Sequence, residues 1–598
     1  MNILGISCFY HDAAAVLLKD GHLVAAAEEE RFSRKKHDFG FPKLAIKFVL
    51  EEGKITAKEI DYVVFYEKPF LKFERIFLNI LQHYPKTLSV FREAMLTWLG
   101  ERLWIKSYIN KNLPEVSVDN ILFVEHHISH AASSFLCSPF EEAGILTEDG
   151  VGELATTTIG VGRGNKIELL KEINFPHSIG LLYSAFTAFC GFEVNEGEYK
   201  LMGMSAYGKP KYVDKIKKLV EMYEDGSFKL NMKYFSYHYS IVKTFNKKFE
   251  LLFGKPREPE TPFFTRSTGF PTYYEDKPQN FEKLSEENEY YADIASSIQC
   301  VTEELIVNLA REVYRATGLD KLCIAGGVGL NSLANYKILQ HTPIKEIFVQ
   351  PAAGDSGGAL GAALYVYNSL LNNPRKFVME HAYWGKEYNN EEIKKFLVEK
   401  NIKFEYISDD EKLFERIVEN LVQGNVIGFF QGKFEWGPRA LGNRSILADA
   451  RNHKMKDIVN TKIKFREPFR PFAPSVLAEK AEEYFEISDV DKHYPSRFML
   501  YVVNVKKDKK SVIPAVTHVD GTARLQTVFR RTNPRYYRLI EKFEEKTGVP
   551  VILNTSFNLR GEPIVNTPEN AYNTFIKSEM DGLVLGNYLV IKDYGKQN

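Results

Sequence analysis

Few cysteines, no net charge and no long apolar run: each shortage in this 598-residue chain closes off a class of function. The five cysteines (Cys8, Cys137, Cys190, Cys300 and Cys323) are odd in number, scattered and never spaced as CxxC. That excludes a disulfide framework or a zinc ribbon and fits a reduced, cytoplasmic chain. The 78 basic and 78 acidic side chains balance to zero, so neither a nucleic-acid footprint nor attraction to an anionic membrane is expected. No stretch stays apolar for the roughly 20 residues a membrane-spanning helix needs. The first residues, Met1-Asn2-Ile3-Leu4-Gly5-Ile6, lack the basic segment of a signal peptide and read as a strand. What is left, at 44% hydrophobic and 26% charged, is a globular chain too long for one core.

The most informative stretch is His126-His127-Ile128-Ser129-His130 with Asp149-Gly150-Val151-Gly152-Glu153 after it. His126 and His130 stand at i and i+4 and share a helix face, while Ile128, Ala131, Ala132 and Phe135 gather on the other side as an anchor. Two imidazoles on one face with a carboxylate close behind suit a divalent metal. Alone, the pattern is equally that of ordinary histidines on a solvated helix. His127, about 100° round the wheel, is the poorer ligand.

Upstream, Asn2 to Ser7, Ala13 to Leu18 and Leu23 to Ala27 read as a three-stranded meander, with the turn Phe9-Tyr10-His11-Asp12 between buried strands. His11 there is a candidate base or ligand, or else a turn residue capping backbone. Helical patterning covers 42 to 52 and 87 to 112, and strands Ile121 to Val124 and Gly144 to Thr147 deliver the histidine helix and Asp149. The strand–turn devices near residues 10 and 150 are those of a duplicated nucleotide-binding fold. Lys200, between Gly197 and Gly203, is a candidate phosphate contact. Residues from about 209 to 290 are charged and aromatic and read as an inserted subdomain over the cleft. A long helix is expected over 298 to 317. Gly326-Gly327, with Asn331 at a helix cap, and then Gly354-Asp355-Ser356-Gly357-Gly358 follow buried strands, as a cradle for adenine, ribose and phosphate would. Asp355 completes a two-histidine, two-aspartate set with His126, His130 and Asp149, fit for iron, manganese or zinc.

Polar residues around 370 to 400 mark a boundary between a first domain, 1–375, and a second, 376–598. In the second, Arg439 and Arg444 lie in Gly437-Pro438-Arg439-Ala440-Leu441-Gly442-Asn443-Arg444-Ser445. Lys464, Arg466 and Arg470 lie in the run to Pro471, and, if extended, Lys464 and Arg466 share a face. Arg524, Asn554, Ser556 and Arg560 sit near strand ends. Basic residues interleaved with Gly, Pro and Phe point to triphosphate binding, where guanidinium forks pair with oxygens.

These blocks together resemble the O-carbamoyltransferases of the nodulation-factor, cephamycin and tobramycin type. The matching stretches are His-Asp-Ala at 11 to 13, Ala-Glu-Glu-Glu-Arg-Phe at 27 to 32, His-x-x-x-His-Ala at 126 to 131 and Asp-Gly-Val-Gly-Glu at 149 to 153. Later come Gly-Gly-Val-Gly-Leu-Asn at 326 to 331, the 437 to 445 run and Asn-Thr-Ser-Phe-Asn at 554 to 558. Met204-Ser205-Ala206 is a mild departure that touches no proposed ligand. The resemblance implies an α/β, actin-like (Kae1-like) duplicated N-terminal domain and a YrdC-like α/β C-terminal domain. It also implies that the second domain makes carbamoyl-adenylate from carbamoyl phosphate and Mg²⁺-bound ATP. The first then passes the carbamoyl group to a small-molecule hydroxyl at an Fe²⁺-type centre. Lys464, Arg466, Arg439 and Arg560 would neutralise the phosphates, His126, His130, Asp149 and Asp355 would hold the metal, and His11 would be the base. A threonylcarbamoyl-adenylate enzyme acting on tRNA, an actin-like small-molecule kinase and a nucleotide-gated chaperone are the rival readings. A homo-oligomer stays open, and the acceptor is not legible.

Overall fold

The computed structural model describes residues 1–100, 102–259, 261–270 and 276–592. It divides into two compact units. The first comprises Met1–Glu29, His37–Thr261 and Glu287–Met379, and the second comprises Glu30–Lys36, Pro262–Glu286 and Glu380–Asn598.

The first unit repeats one topology. Strands β1 (Asn2–Ser7), β2 (Ala14–Lys19) and β3 (His22–Glu28) form the antiparallel meander, and β4 (Tyr62–Phe65) and β5 (Ile121–Phe123) join β1 in parallel. The sheet order is β3-β2-β1-β4-β5. Strands β6 (Glu142–Glu148), β7 (Ala155–Arg163) and β8 (Lys166–Asn174) form a second meander. After the small hairpin β9 (Val220–Met222) and β10 (Phe228–Leu230), β11 (Lys321–Ala325) and β12 (Glu346–Val349) join β6 in parallel. Read from β8, that order is β8-β7-β6-β11-β12, the same three-two-one-four-five pattern. This is the duplicated, actin-like arrangement.

The helices that matter are α1 (Lys43–Gly53), α2 (Pro69–Gln82), α3 (His126–Phe135), α4 (Phe281–Thr317), α5 (Ser332–His341) and α6 (Asp355–Leu364). Helix α4 starts well before the expected residue 298, because its first turns are polar and carry no apolar period. Helix α6 is built almost wholly of small residues, Asp-Ser-Gly-Gly-Ala-Leu-Gly-Ala-Ala-Leu, and is buried throughout. A Cβ on Gly361 would lie 1.7 Å from the Ser129 carbonyl oxygen of α3, and one on Gly5 of β1 would lie 2.0 Å from the Ala359 carbonyl oxygen. The glycines of this run therefore serve backbone-to-backbone packing of α6 on β1 and α3, which corrects the reading of 357 to 361 as a phosphate cradle. The histidine helix is corrected too: His126 and His130 are fully buried, and Ile128 is the partly exposed residue.

Phe249 and Phe253 of the inserted region pack on Phe186 and Phe189 of the helix Ile179–Phe189 with ring centres 5.1 to 6.1 Å apart and edge to face, so the insert shares a small aromatic core with the rest of the unit. The second unit holds a nine-stranded mixed sheet with its own apolar core, in which Leu413, Phe414, Ile417, Leu539, Ile540 and Phe543 lie against strand residues such as Ile427, Leu447 and Ile552. Two of its strands, Arg444–Asp449 and Val551–Ser556, pair antiparallel and carry Arg444, Asn554 and Ser556.

Candidate metal centre and anion cluster

In the first unit, α3 supplies His126 and His130, the turn after β6 supplies Asp149, and the first residue of α6 is Asp355. His126 Nε2 is 3.0 Å from His130 Nε2 and 3.1 Å from Asp149 Oδ2, and Asp355 Oδ1 is 3.8 Å from both imidazole nitrogens. One ligating atom from each of the four lies within 4.8 Å of the others. Two imidazole nitrogens and two carboxylates converge on one point, and both Nδ1 atoms are buried without a partner. A divalent cation with nitrogen and oxygen ligation fits that donor set.

The supporting contacts explain the geometry. The backbone N–H of His126 donates to both oxygens of Glu153, at 2.9 and 3.1 Å. Tyr66 donates its hydroxyl to Asp355 Oδ2 at 3.2 Å. Gly326, at φ +98°, passes so close to Glu148 that a Cβ would lie 2.1 Å from its carbonyl oxygen, and Gly327 N–H donates to Asp149 Oδ1 at 3.0 Å. That glycine turn thus fixes a ligand carboxylate, a role different from the phosphate contact expected of Gly326 and Gly327. Asn331 caps α5 by accepting from Ala334 N–H and also accepts from Gln299, so its side chain is held inside the protein and not presented to a nucleotide.

Electrostatics follow from crowding. Burial works against the charged form of His126, but the Asp149 hydrogen bond and the Asp355 charge outweigh it and raise its pKa to about 9. Burial and the His126 charge hold His130 well below the usual histidine range. Burial, against the pull of His126, raises Asp355 to about 6. Both nitrogens of His127 are taken, by Thr147 Oγ1 at 2.6 Å and the Ala155 carbonyl at 2.9 Å, so it stands outside the ligand set.

His11 lies in a second group that sequence reading saw only in part. Its Nδ1 is 2.7 Å from Asp12 Oδ2, and Asp12 Oδ1 is 2.8 Å from His37 Nδ1. Two backbone bonds, Phe9 N–H to Phe39 and Ala13 N–H to Asp38, bring the two loops together. Burial disfavours the His11 charge, yet the Asp12 contact raises its pKa to about 9. Asp12 was visible as the neighbour of His11, whereas nothing in the spacing announces His37. Lys200 is buried with its Nζ 5.8 Å from the centre of the Phe192 ring, not among the His/Asp ligands.

In the second unit, Lys464 feels the charges of Arg466 and Arg470, and Arg524 feels those of Arg439 and Arg466. Burial first, then Arg466 and Arg470, hold the Lys464 ammonium well below its usual range. Burial, then Arg439 and Arg466, do the same to Arg524, whose Nε is buried without a partner. Cations gathered in this way suit an anion. The local structure is a tight turn, not the extended run expected: Lys464 is helical and Phe465 has φ +46°. Lys464 Nζ donates to the carbonyls of Ser556 and Asn558 and to Asn558 Oδ1 at 2.6 to 2.8 Å. Ser556 in turn donates to Asn558 Oδ1. Arg466 Nε donates to Asn460 Oδ1, Arg470 faces Glu467 at 2.8 Å, and Arg560 is exposed.

Two expected phosphate ligands serve other ends. Arg444 is fully buried over the Phe430 ring, and its guanidinium donates to the carbonyls of Gln431, Gly432, Asn443 and Lys386. Asn554 donates inside the sheet to Ala440, Ser475 and Gln526. Sequence reading also passed over Glu435, whose Oε1 accepts from the N–H groups of Leu441, Asn443 and Arg444 and so shapes the loop that carries Arg439.

Known proteins match this chain in two stretches. Residues 2–364 match the model of the carbamoyltransferase N-terminus, and 418–592 that of the carbamoyltransferase C-terminus. An uncharacterised protein of Synechocystis sp. is 48% identical over 99% of this chain and 97% of its own length. The nodulation protein NolNO of Sinorhizobium fredii is 37% identical over 98% of this chain and 79% of its own. The 3'-hydroxymethylcephem-O-carbamoyltransferase of Streptomyces clavuligerus is 34% identical over 48% of this chain and 52% of its own. Among the described residues no helix is long and apolar enough to cross a membrane. The chain belongs to the carbamoyltransferase family.

Proposed function

We propose that this enzyme transfers a carbamoyl group to a hydroxyl of a small molecule, a sugar or a natural product, in two ATP-dependent steps. In the YrdC-like second domain water cleaves carbamoyl phosphate to carbamate and phosphate, and the carbamate oxygen then attacks the α-phosphorus of ATP, forming carbamoyl-adenylate and releasing pyrophosphate. The first domain passes the carbamoyl group to the acceptor oxygen, with AMP as leaving group. The observation that carries this reading is the pairing of two unlike sites in one chain: the His126, His130, Asp149, Asp355 group, and the cations Lys464, Arg466, Arg470, Arg439 and Arg524. A kinase has no use for the second.

In the adenylating step, Arg466, Arg439 and Arg524 offset charge on the triphosphate and the departing pyrophosphate. Lys464 holds the Ser556–Asn558 loop beside them. In the transfer step, His11 is the base for the acceptor hydroxyl, oriented through Nδ1 by Asp12. What a divalent cation at the His/Asp group supplies is polarisation of a carbonyl or phosphoryl oxygen, and Fe²⁺, Mn²⁺ and Zn²⁺ suit the donors. Mg²⁺ accompanies ATP.

The test mixes protein, ATP, Mg²⁺ and carbamoyl phosphate without acceptor. Pyrophosphate that requires carbamoyl phosphate and disappears in Lys464→Ala is the expected result. ADP formed regardless of carbamoyl phosphate would overturn the reading in favour of a kinase.

A further inference from the structure

Helix α2 carries two cations on one face, Lys72 and Arg75, three residues apart. They are not equivalent. Lys72 is buried and paired with Glu67 at 2.5 Å, and its Nζ lies 4.3 Å from the centre of the Tyr10 ring. Arg75 has no such partner. Its guanidinium carbon sits 4.9 Å from the centre of the Phe175 ring, and its Nε is buried with no acceptor. Among the described residues no carboxylate or carbonyl pairs with it. Glu67 and Glu153 act on it only through their fields, and both carboxylates are already engaged: Glu67 by Lys72, Glu153 by two backbone N–H groups. Arg75 is half-buried, and an Nε–H taken from water without an acceptor is costly unless a ligand supplies one.

The surroundings say where that ligand lies. Glu153, whose field reaches Arg75, accepts from the N–H of the ligand residue His126 and from Lys68 N–H just ahead of α2, so Arg75 belongs to the surroundings of the His/Asp group. Phe175, the ring under the guanidinium, lies 6.4 Å from Tyr237 of the inserted region, and Asn79, one turn beyond Arg75 on α2, donates to the His238 carbonyl. We propose that Arg75 binds an oxyanion, a phosphate or a carboxylate, of a ligand seated beside the His/Asp group. Its use in carbamoyl transfer rests on the function proposed above. Two sources share this chemistry: an anionic group on the acceptor, or the phosphate of the adenylate.

The test uses full-length protein in which Arg466→Gln and Arg524→Gln have weakened the second unit's anion cluster, titrated calorimetrically with inorganic phosphate. Adding Arg75→Gln should weaken the remaining phosphate binding roughly tenfold, the loss of a charge-assisted contact, and Arg75→Lys should restore part of it. Unchanged melting shows that the variants fold. Titration with AMP and with a sugar phosphate then separates the sources, since Arg75→Gln weakens only the ligand whose anion it holds. Phosphate binding that ignores Arg75→Gln overturns the proposal. Arg75-dependent binding in a protein that releases no pyrophosphate would keep this site and discard the two-step function. Pyrophosphate release with Arg75-independent binding would do the reverse.

Discussion

Gly361→Ala adds one methyl group, removes no polar atom, and should damage the centre from a distance. The new Cβ would stand 1.7 Å from the Ser129 carbonyl oxygen, where ordinary contact begins at 3.4 Å. Helices α3 and α6 must then separate by about the difference, or tilt to the same effect, at a cost of roughly 1–3 kcal/mol for overpacking of this kind. Asp355 rides on α6 and both histidines ride on α3. The 3.8 Å separations of Asp355 Oδ1 from the two Nε2 atoms are therefore the distances that open. Metal ligation tolerates errors of only about 0.2 Å, so affinity should fall before the fold is lost. Metal content of the purified variant, read beside its melting temperature, is the assay. Gly100→Ala, at the end of an exposed helix where a Cβ meets nothing within 4 Å, is the matched control. A Gly361→Ala protein that melts with the wild type and keeps its full metal content would refute the coupling of α6 packing to ligand geometry.

Two more outcomes rest on the electrostatics. His11 is held charged to about pH 9 by Asp12, so as a base its active form grows as pH rises. Transfer should climb through an alkaline limb above 6.5, and Asp12→Asn should shift that limb down, because burial is then opposed only by the Asp355 charge and the Asn195 contact; a rate that falls over the same range would make His11 an acid. In the second unit, Arg444→Lys should destabilise the protein by a few kcal/mol, since an ammonium cannot reach four carbonyls in a plane. The KM for ATP of the folded fraction should stay as it was, and a tenfold rise in KM with normal melting would return Arg444 to the phosphate site.

Much of the fold and the metal group was legible from residues because regular elements announce themselves. The apolar runs of β1, β2 and β3 are short and bounded by turns, and an i, i+4 histidine pair has one geometric meaning on a helix. Asp149 and Asp355 were found because each comes after a buried strand. What stayed hidden depends on acceptors supplied from afar. Arg444 and Arg524 look alike in sequence, yet the guanidinium of one meets four carbonyls while the other lies among the charges of Arg439 and Arg466. Glycine runs are equally ambiguous: Gly361 is small for the sake of a neighbouring helix, and Gly326 for a neighbouring strand end. His37 joins Asp12 across 25 residues through two loop hydrogen bonds that no periodicity foretells.

Glu153 ties the start of two helices with one carboxylate: it accepts from Lys68 N–H ahead of α2 and from His126 N–H at the head of α3. Lys68 reinforces the joint with its ammonium 2.8 Å from Glu125. Helix α2, which bears Arg75, and the helix that bears both histidines are thus joined at their starts. For anyone exchanging residues 66–112 between relatives, the exchange has a natural seam at that joint. A donor segment that keeps the backbone of residue 68 in register with Glu153 will leave His126 where it was, and one that shifts it will move the centre along with α2.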